Sequence, residues 1–296
     1  MSTDKPAPRD RAGRAAIGVV PLLWDLDAQR AHEVLAEIAG LGLRGVQWHE
    51  AFAQRAHEVL GLAVAEVYAA IACDRDGPAA TAAADLRARL DRLHRLGGDV
   101  LVVACDGDPH RDRWAGRAAA RQTPRLTRGG WQRLAAVVDG IAQQAHALGH
   151  RVAFHAHAGT HVETPTELET LLAMTDPDLV GVCLDTGHHI VGGGDPVAVL
   201  DGHGRRVTHV HLKDVAAPVL AALRSGGLDG LGHAVDQRIF CPLGAGVLDL
   251  PATLAALRSA GYQGWLMLEQ DSSWDPPAVA VAASQRALDA ALHEPA

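Results

Sequence analysis

The sequence is poor in aromatic residues and cysteines, and it lacks a long apolar segment. Six Trp, two Tyr and three Phe supply only 4% of 296 residues, so Ala, Leu and Val must build the core of a chain that is 48% hydrophobic. Four separated cysteines without a CxxC pair exclude a disulfide framework and a zinc knuckle, and they predict reduced thiols in the cytoplasm. No run of about 18 apolar residues and no apolar signal-peptide core occurs, so we expect neither a membrane span nor secretion.

Basic residues are also scarce. Lys and Arg total 27 against 35 Asp and Glu, which gives a formal net charge of −8 with 17 His counted as neutral. Because nucleic-acid binding depends mainly on cations that neutralise phosphates, this balance argues against a nucleic-acid partner. No GxGxxG turn, no GxxxxGK[ST] turn and no clear Arg cluster marks a phosphate site. We therefore expect an unphosphorylated small molecule as the substrate.

Eight apolar runs rich in Val, Ile and Leu alternate with Ala/Leu/Arg stretches of helical period. This alternation is typical of parallel strands that are each followed by a covering helix, and eight such units predict a single-domain α/β fold, the (β/α)8 TIM barrel, over residues 16–296. Residues 1–15 are predicted to be a disordered tail, and the long connections 106–128 and 215–249 are expected to cover the active face. The predicted strands are 16–24, 45–50, 64–72, 99–107, 151–158, 180–188, 207–214 and 264–271, and the predicted helices include 27–40, 80–96, 130–148, 166–174 and 251–260.

Metal-ligating or proton-transferring side chains follow most of the predicted strands. In a TIM barrel the C-terminal strand ends meet at one mouth, so these residues become neighbours. Asp185 and Glu269 each follow an apolar run, and an unpaired buried carboxylate costs several kcal/mol. A divalent cation satisfies both carboxylates, and salt bridges to Lys or Arg are the alternative. The polar residues at the exits are Asp25, Gln47, His49, Glu50, Asp106, Asp108, His155, His157, Asp185, His188, His209, His211, Lys213, Glu269, Gln270 and Asp271.

Five motifs carry a resemblance to a known family. They are "HAHAGTHVETPTELETLL", "VGVCLDTGHH", "VTHVHLKD", "PLGAGVLDLPATLAALRSAGYQGW" and "LEQDSSWDP". Over about residues 16–290 the chain resembles the sugar phosphate isomerase/epimerase group of xylose isomerase-like TIM barrels, and most closely its inosose dehydratase branch. The resemblance implies that Asp185, His211 and Glu269 bind one divalent metal, that His188 contacts substrate or moves a proton, and that Lys213 polarises a substrate oxygen or forms a salt bridge.

The fourth ligand departs from the common family pattern. Most relatives have a Glu at the end of strand five, where this chain has His155. Either His155 coordinates the metal or Glu163 folds back from the following loop, and His157 is assigned to the substrate or to the surroundings of the ligands. At strand two the family often has a Glu where this chain has Gln47, which leaves His49 and Glu50 as candidate substitutes that contact substrate. Mn²⁺ or Co²⁺ is the expected ion, and Zn²⁺, Fe²⁺ and Mg²⁺ also suit such ligands.

The ligand set predicts chemistry at a carbon next to a carbonyl. Family epimerases generally use two opposed glutamates as bases, and His155 replaces one of them here. A lyase needs one base and one acid, so Glu269 or a His as base with His188 or His157 as acid suffices. We therefore expect a metal-dependent lyase that eliminates water from a keto-cyclitol or keto-sugar through a metal-stabilised enediolate. A sugar isomerase or 3-epimerase that uses the same metal is the first alternative.

Further expectations concern the substrate walls and the assembly. Trp24, Trp48 and Trp114 are candidate apolar walls for sugar C–H faces, with packing at the barrel rim as the alternative. A DNA-repair endonuclease of the same superfamily would need a basic groove, which the acidic balance disfavours. A barrel that has lost catalysis and serves as a binding subunit is a third alternative, and a homo-oligomer is compatible with the sequence.

Overall fold

The fold is described from a computed structural model over residues 16–53 and 56–293. The predicted tail 1–15 and the last three residues of the predicted domain lie outside these ranges. Eight parallel strands form the central sheet: β1 (Ile17–Val19), β2 (Gly45–Gln47), β3 (Ala63–Ile71), β4 (Val100–Cys105), β5 (Arg151–His155), β6 (Val180–Asp185), β7 (Val207–Leu212) and β8 (Leu266–Leu268).

The eight strands close into a barrel. Each strand pairs with its sequence neighbours, and β1 also pairs with β8 through Ile17 opposite Leu266. The register between β6 and β7 shifts at Val182 and Cys183, after which Asp185 lies opposite His211. Such an irregularity re-aims the side chains that follow it. The predicted (β/α)8 barrel is confirmed.

Helices cover the outside of the barrel. Two short hairpins, Cys73–Asp74 with Gly77–Pro78 and Asp214–Val215 with Phe240–Cys241, and a 3₁₀ helix at Gly204–Arg206 lie in the connections. Within the described ranges, no helix is long and apolar enough to cross a membrane. The α-helices are α1 (Ala31–Gly40), α2 (Ala56–Val59), α3 (Ala82–Arg95), α4 (Pro109–Asp112), α5 (Arg128–Ala147), α6 (Pro165–Leu172), α7 (Thr186–Val191), α8 (Pro196–His203), α9 (Ala217–Ser225), α10 (Gly230–Asp236), α11 (Leu250–Ser259) and α12 (Pro277–His293).

Alternation along the strands separates the apolar core from the polar interior of the mouth. On β7, Val210 and Leu212 belong to the large apolar cluster that includes helix residues, whereas His209 and His211 are the residues between and before them. Successive strand side chains point to opposite faces, so these two histidines point into the barrel. The hydrophobic layer therefore lies between the strands and the helices, while the mouth end of the barrel interior carries polar groups.

The two long connections contact each other. Arg111 of α4 is fully buried, and its guanidinium donates to both carboxylate oxygens of Glu167 at 2.8 and 2.7 Å and to the Pro124 carbonyl at 2.7 Å. Glu167 also completes a capping box with Thr164 at the start of α6. The Leu231 amide donates to the Asp112 carboxylate at 3.3 Å. Connection 106–128 is thereby fixed to α6 on one side and to α10 on the other.

The predicted strand 180–188 is too long at its C-terminal end. β6 ends at Asp185, and residues 186–188 form the first turn of α7. The reason is local, because the Asp185 side chain accepts a hydrogen bond from the His188 amide at 2.7 Å and so caps a helix at this point. The predicted strands 16–24 and 151–158 likewise extend past the ends of β1 and β5.

Candidate metal centre

Four metal-ligating side chains converge at the C-terminal mouth of the barrel. His155 ends β5, Asp185 ends β6, His211 lies on β7 and Glu269 follows β8. One donor atom from each lies within 4.8 Å of the others. His155 Nε2 is 3.6 Å and His211 Nδ1 is 3.7 Å from Asp185 Oδ2, and His211 Nδ1 is 2.5 Å from Glu269 Oε2. Two imidazoles and two carboxylates thus share one small volume.

Hydrogen bonds on the far side of each ring orient the two imidazoles. His155 Nδ1 lies 3.0 Å from the Ala156 carbonyl, which can only accept, so Nδ1 carries the proton and the Nε2 lone pair faces the other donors. His211 Nε2 lies 2.7 Å from Glu66 Oε2, which leaves Nδ1 towards Asp185 and Glu269. Oriented rings of this kind are usual among metal-binding histidines.

Three atoms of the cluster are buried and have mainly one another as polar neighbours. Asp185 Oδ2, His211 Nδ1 and Glu269 Oε2 lie 2.5–3.7 Å from other atoms of the cluster, and Lys213 Nζ lies 3.5 Å from Asp185 Oδ2. An unsatisfied buried oxygen or nitrogen is costly, and a cation coordinated by the three lone pairs would remove that cost. The donor chemistry therefore fits a divalent ion that accepts both imidazole and carboxylate.

The "DTGH" stretch has a structural task at each position. Asp185 uses Oδ1 to cap α7 and keeps Oδ2 for the donor cluster. Thr186 Oγ1 donates to the Lys213 carbonyl at 2.7 Å and accepts from the Lys213 amide at 2.9 Å, which ties β6 to the residue after β7. A Cβ on Gly187 would lie 2.6 Å from Lys213 Cγ, so only glycine leaves room for that side chain. His188 then faces Lys213.

Lys213 is fully buried among carboxylates. Its Nζ donates to Asp271 Oδ1 at 2.7 Å and to Glu269 Oε1 at 2.8 Å, and lies 3.5 Å from Asp185 Oδ2. Burial alone lowers the pKa of an ammonium, but these three carboxylates raise the pKa of Lys213 above its usual value. Burial raises the pKa of Asp271 to about 6, whereas at Asp185 and Glu269 the charge of Lys213 overcomes burial and lowers the pKa. Lys213 is therefore a cation near pH 7, beside the donor cluster.

His157 and His188 stack next to that cation, with ring centroids 3.7 Å apart. His188 Nε2 is 3.0 Å from Lys213 Nζ, and Phe240 packs 5.0 Å from the His188 ring. Burial, together with the neighbouring imidazole and Lys213, lowers the pKa of both histidines, that of His157 to about 3. Both rings are accordingly neutral near pH 7.

Glu66 is a member of the site that sequence reasoning missed. It lies within β3, is fully buried, and its Oε2 contacts Nε2 of both His209 and His211. Burial raises the pKa of a carboxyl, but the two imidazoles reverse the effect and lower the pKa of Glu66. A charged residue inside an apolar strand was the signal that could have identified it, because such a residue needs a buried partner.

Glu163 is kept away from the four converging donors. Its Oε1 accepts from the Gly116 amide at 2.8 Å, its Oε2 accepts from the Gly159 amide at 2.9 Å, and Arg111 Nε lies 3.9 Å away. Both oxygens therefore serve to hold connection 106–128 against the loop that follows β5. Of the two candidates for the fourth ligand, the structure brings only His155 to the cluster.

The predicted substrate-contacting residues lie around the rim. Trp24 is buried and donates through Nε1 to Glu37 of α1 at 2.6 Å. His49 and Glu50 are exposed, and Glu50 forms ion pairs with Arg89 and Arg92 of α3. Trp114 is half-buried, with the Arg117 guanidinium 5.5 Å from its ring centroid. In the described part of the chain, no hydrogen bond, ion pair or ring contact joins Trp24, His49, Glu50 or Trp114 to the four donors.

Comparisons with known proteins agree with this fold and with the motifs. A family model described as a xylose isomerase-like TIM barrel matches residues 12–291. The inosose dehydratase of Geobacillus kaustophilus (strain HTA426) is 32% identical over 284 residues, which is 89% of this chain and 89% of that protein.

Solved structures show the same architecture at lower identity. An L-ribulose 3-epimerase superposes with a TM-score of 0.70 at 18% identity, covering 95% of this chain and all of the other. The IolI protein with a bound zinc atom superposes with a TM-score of 0.69 at 12% identity, covering 94% of this chain and 98% of the other. At these identities the likeness concerns the fold alone.

Proposed function

Because the chain belongs to the xylose isomerase-like TIM barrel family, we propose that it is a metal-dependent lyase of the inosose dehydratase type, which eliminates water from a keto-cyclitol or keto-sugar. The observation that carries this proposal is the convergence of four donor atoms within 4.8 Å, three of them buried atoms whose polar neighbours are mainly one another. In this proposal His155, Asp185, His211 and Glu269 hold one divalent ion. The matched dehydratase relative supports this reaction over others that use a similar site.

The donor set favours a first-row transition ion. Two imidazoles with two carboxylates suit Mn²⁺, Co²⁺, Fe²⁺ or Zn²⁺ better than Mg²⁺, which prefers oxygen ligands and retained water. We propose Mn²⁺ or Co²⁺ as the ion that supports turnover. When bound, the ion supplies Lewis-acid polarisation of the substrate carbonyl, which acidifies the neighbouring C–H bond.

The side chains around the cluster can move the two protons that dehydration requires. The Glu269 carboxylate takes the proton from the carbon beside the carbonyl, and the electron pair of that C–H bond forms the C=C bond. The C–O bond at the next carbon breaks as its hydroxyl receives a proton from the Lys213 ammonium, which His188 Nε2 orients at 3.0 Å. The proton taken up by Glu269 can then return to Nζ across the 2.8 Å contact between the two side chains. Water leaves, and His157, stacked on His188, keeps that ring in position.

Glu163 bears on the choice between this lyase and a two-base epimerase. An epimerase of the family type would be supported by a second carboxylate opposite Glu269. Both oxygens of Glu163 are instead occupied by backbone amides of residues 116 and 159. One carboxylate base with an ammonium–imidazole pair supports elimination, and a sugar isomerase or 3-epimerase is the second candidate.

Deuterium incorporation distinguishes the two reactions. The protein loaded with Mn²⁺ or Co²⁺ is incubated in D₂O with inososes and with keto-sugars. We expect an enone chromophore to grow with the inosose substrates and to be absent with the Asp185→Asn variant. Deuterated isomers without a chromophore would instead assign the isomerase or epimerase reaction.

Cellular location and assembly follow as further proposals. The four cysteines are free thiols, which suits the reducing cytoplasm that we propose as the location. A homo-oligomer remains a prediction that light scattering on the purified protein would test. The proposed substrate is a small polyol ketone, with no nucleic-acid or membrane partner.

A further inference from the structure

Glu66 links two histidines of β7 inside the barrel. It lies on β3 with no exposed surface, and its Oε2 contacts His209 Nε2 and, at 2.7 Å, His211 Nε2. His209 is also fully buried. The three side chains form a layer behind the four donors, on the side away from the mouth, and they share His211 with them.

The hydrogen-bond chemistry fixes which nitrogen of His211 carries a proton. An ionised carboxylate only accepts hydrogen bonds, so Nε2 of His209 and of His211 must each donate to Glu66. A neutral His211 is then the Nε2–H tautomer, and its Nδ1 lone pair points at Asp185 Oδ2 and Glu269 Oε2, 3.7 and 2.5 Å away. If Glu66 were lost, the ring could adopt either tautomer or turn.

A second ion held by Glu66, His209 and His211 is the competing explanation for this layer. Such an ion would need the Nε2 lone pair of His211, whose Nδ1 already faces Asp185 and Glu269. The ring would then have to lose both of its protons to bind an ion on each side. Charge-assisted hydrogen bonds from the two histidines to Glu66 require no such loss.

We propose that Glu66 is a positioning residue that holds His211 as its Nε2–H tautomer, with His209 as the second donor that keeps the carboxylate in place. This inference rests on the proposed metal site, which it deepens. Carboxylates behind a ligand histidine typically affect metal affinity by about 10–100-fold, because they fix the tautomer and raise the basicity of the ring.

The test measures Co²⁺ binding without substrate. Glu66→Gln keeps the size of the side chain but replaces one acceptor oxygen by an amide donor. We expect its Co²⁺ dissociation constant, followed by visible absorption, to rise about 10–100-fold, with one ion per wild-type chain. Glu66→Asp, which keeps the charge, should recover part of the loss. The control Glu167→Gln makes the same chemical change at a largely buried glutamate that pairs with Arg111. It should leave the Co²⁺ dissociation constant unchanged even if it lowers the melting temperature.

A second readout does not depend on metal. In metal-free protein labelled with ¹⁵N-histidine, at a pH above the raised pKa of His211 so that the ring is neutral, the His211 signals, assigned with His211→Ala, should report the Nε2–H tautomer in the wild type and a mixture in Glu66→Gln. Unchanged affinity together with an unchanged tautomer would overturn the role of Glu66 and leave the metal site standing. Two Co²⁺ ions per wild-type chain, one of them absent in Glu66→Gln, would make Glu66 a ligand and also overturn it. A wild type that binds no Co²⁺ would refute the metal site, and the tautomer measurement would still decide the role of Glu66.

Discussion

Removal of the Lys213 charge is expected to destabilise the metal-free protein much more than the metal-loaded protein. In Lys213→Met the ammonium that contacts Asp271, Glu269 and Asp185 is replaced by an apolar group of similar length. Three buried carboxylates are then left without their cation. A divalent ion held by Asp185 and Glu269 would compensate two of them, so the cost of the substitution should depend on metal.

The contact distances set the magnitude. At an effective dielectric constant of about 20, a contact of 2.8 Å between Nζ and Glu269 Oε1 contributes about 6 kcal/mol before desolvation is subtracted. The measured cost of removing one partner from a buried ion pair is about 3–5 kcal/mol, which we expect for the metal-free variant. With metal bound we expect the substitution to cost less than about 2 kcal/mol. The difference from the metal-free cost is at least about 1 kcal/mol, so linkage requires the variant to bind metal at least about fivefold more tightly.

Chemical denaturation of both forms, with and without Mn²⁺, measures the two free energies, and calorimetry measures the Mn²⁺ dissociation constant directly. Arg111→Met is the matched control, because Arg111 is equally buried and pairs with Glu167 away from the donors. Arg111→Met should lower the free energy of unfolding by the same amount with and without Mn²⁺. A Lys213→Met protein that binds Mn²⁺ tenfold more weakly than the wild type would show that Lys213 builds the site and does not compete with the ion.

Four further variants, one of them with a matched control, test the donor cluster and the loops beside it. Asp185→Asn keeps the Oδ1 cap of α7, so we expect it to remain folded by circular dichroism but to lose its metal on gel filtration. We expect the same of His211→Ala. Full retention of the metal by both variants would refute the ligand set. His155→Glu should shift the binding preference from Co²⁺ towards Mn²⁺ and Mg²⁺ in competition titrations, since an oxygen replaces a nitrogen. Each carboxylate oxygen of Asp214 accepts hydrogen bonds from two backbone amides, and Asp214→Asn replaces one of these oxygens by an NH₂ donor. We expect this variant to lower the free energy of unfolding in urea by about 2–4 kcal/mol. The control Asp249→Asn, at an exposed helix cap, should lower it by less than about 0.5 kcal/mol.

The order of the strands and the donor positions could be read from the sequence, because apolar runs ended by acid or imidazole are local features. Asp185, His211 and Glu269 each follow or close such a run, and barrel closure brings the ends of the runs together. His155 and Glu163 were both candidates for the fourth position, and the structure brings only the His155 ring to the cluster. Local pattern and fold geometry predicted where the donors would meet, whereas their assignment as ligands relied on the family resemblance.

The roles of residues with partners far away in the sequence could not be predicted from local pattern. Glu66 contacts His209, which is 143 residues further along the chain, and nothing near Glu66 in sequence indicates that pairing. Glu163 looked equally available as a ligand, but the amides of residues 116 and 159 that occupy its oxygens come from two different loops. Glu50 was a candidate for the mouth, yet Arg89 and Arg92 of α3 pair with it. In each case the competing partner is a product of tertiary packing.

The two motifs that end β6 and β7 contact each other closely, so the position of each donor depends on residues of both motifs. Thr186 exchanges hydrogen bonds with the backbone of Lys213, and Gly187 leaves the space that the Lys213 side chain fills. Lys213 in turn sets the charge around Asp185, whose other oxygen starts the helix that carries His188. Because each position supports a neighbour on the other strand, a change at a residue that touches no ion can still move a donor. The donor cluster is therefore held by the packing between two strand ends as much as by its own four side chains.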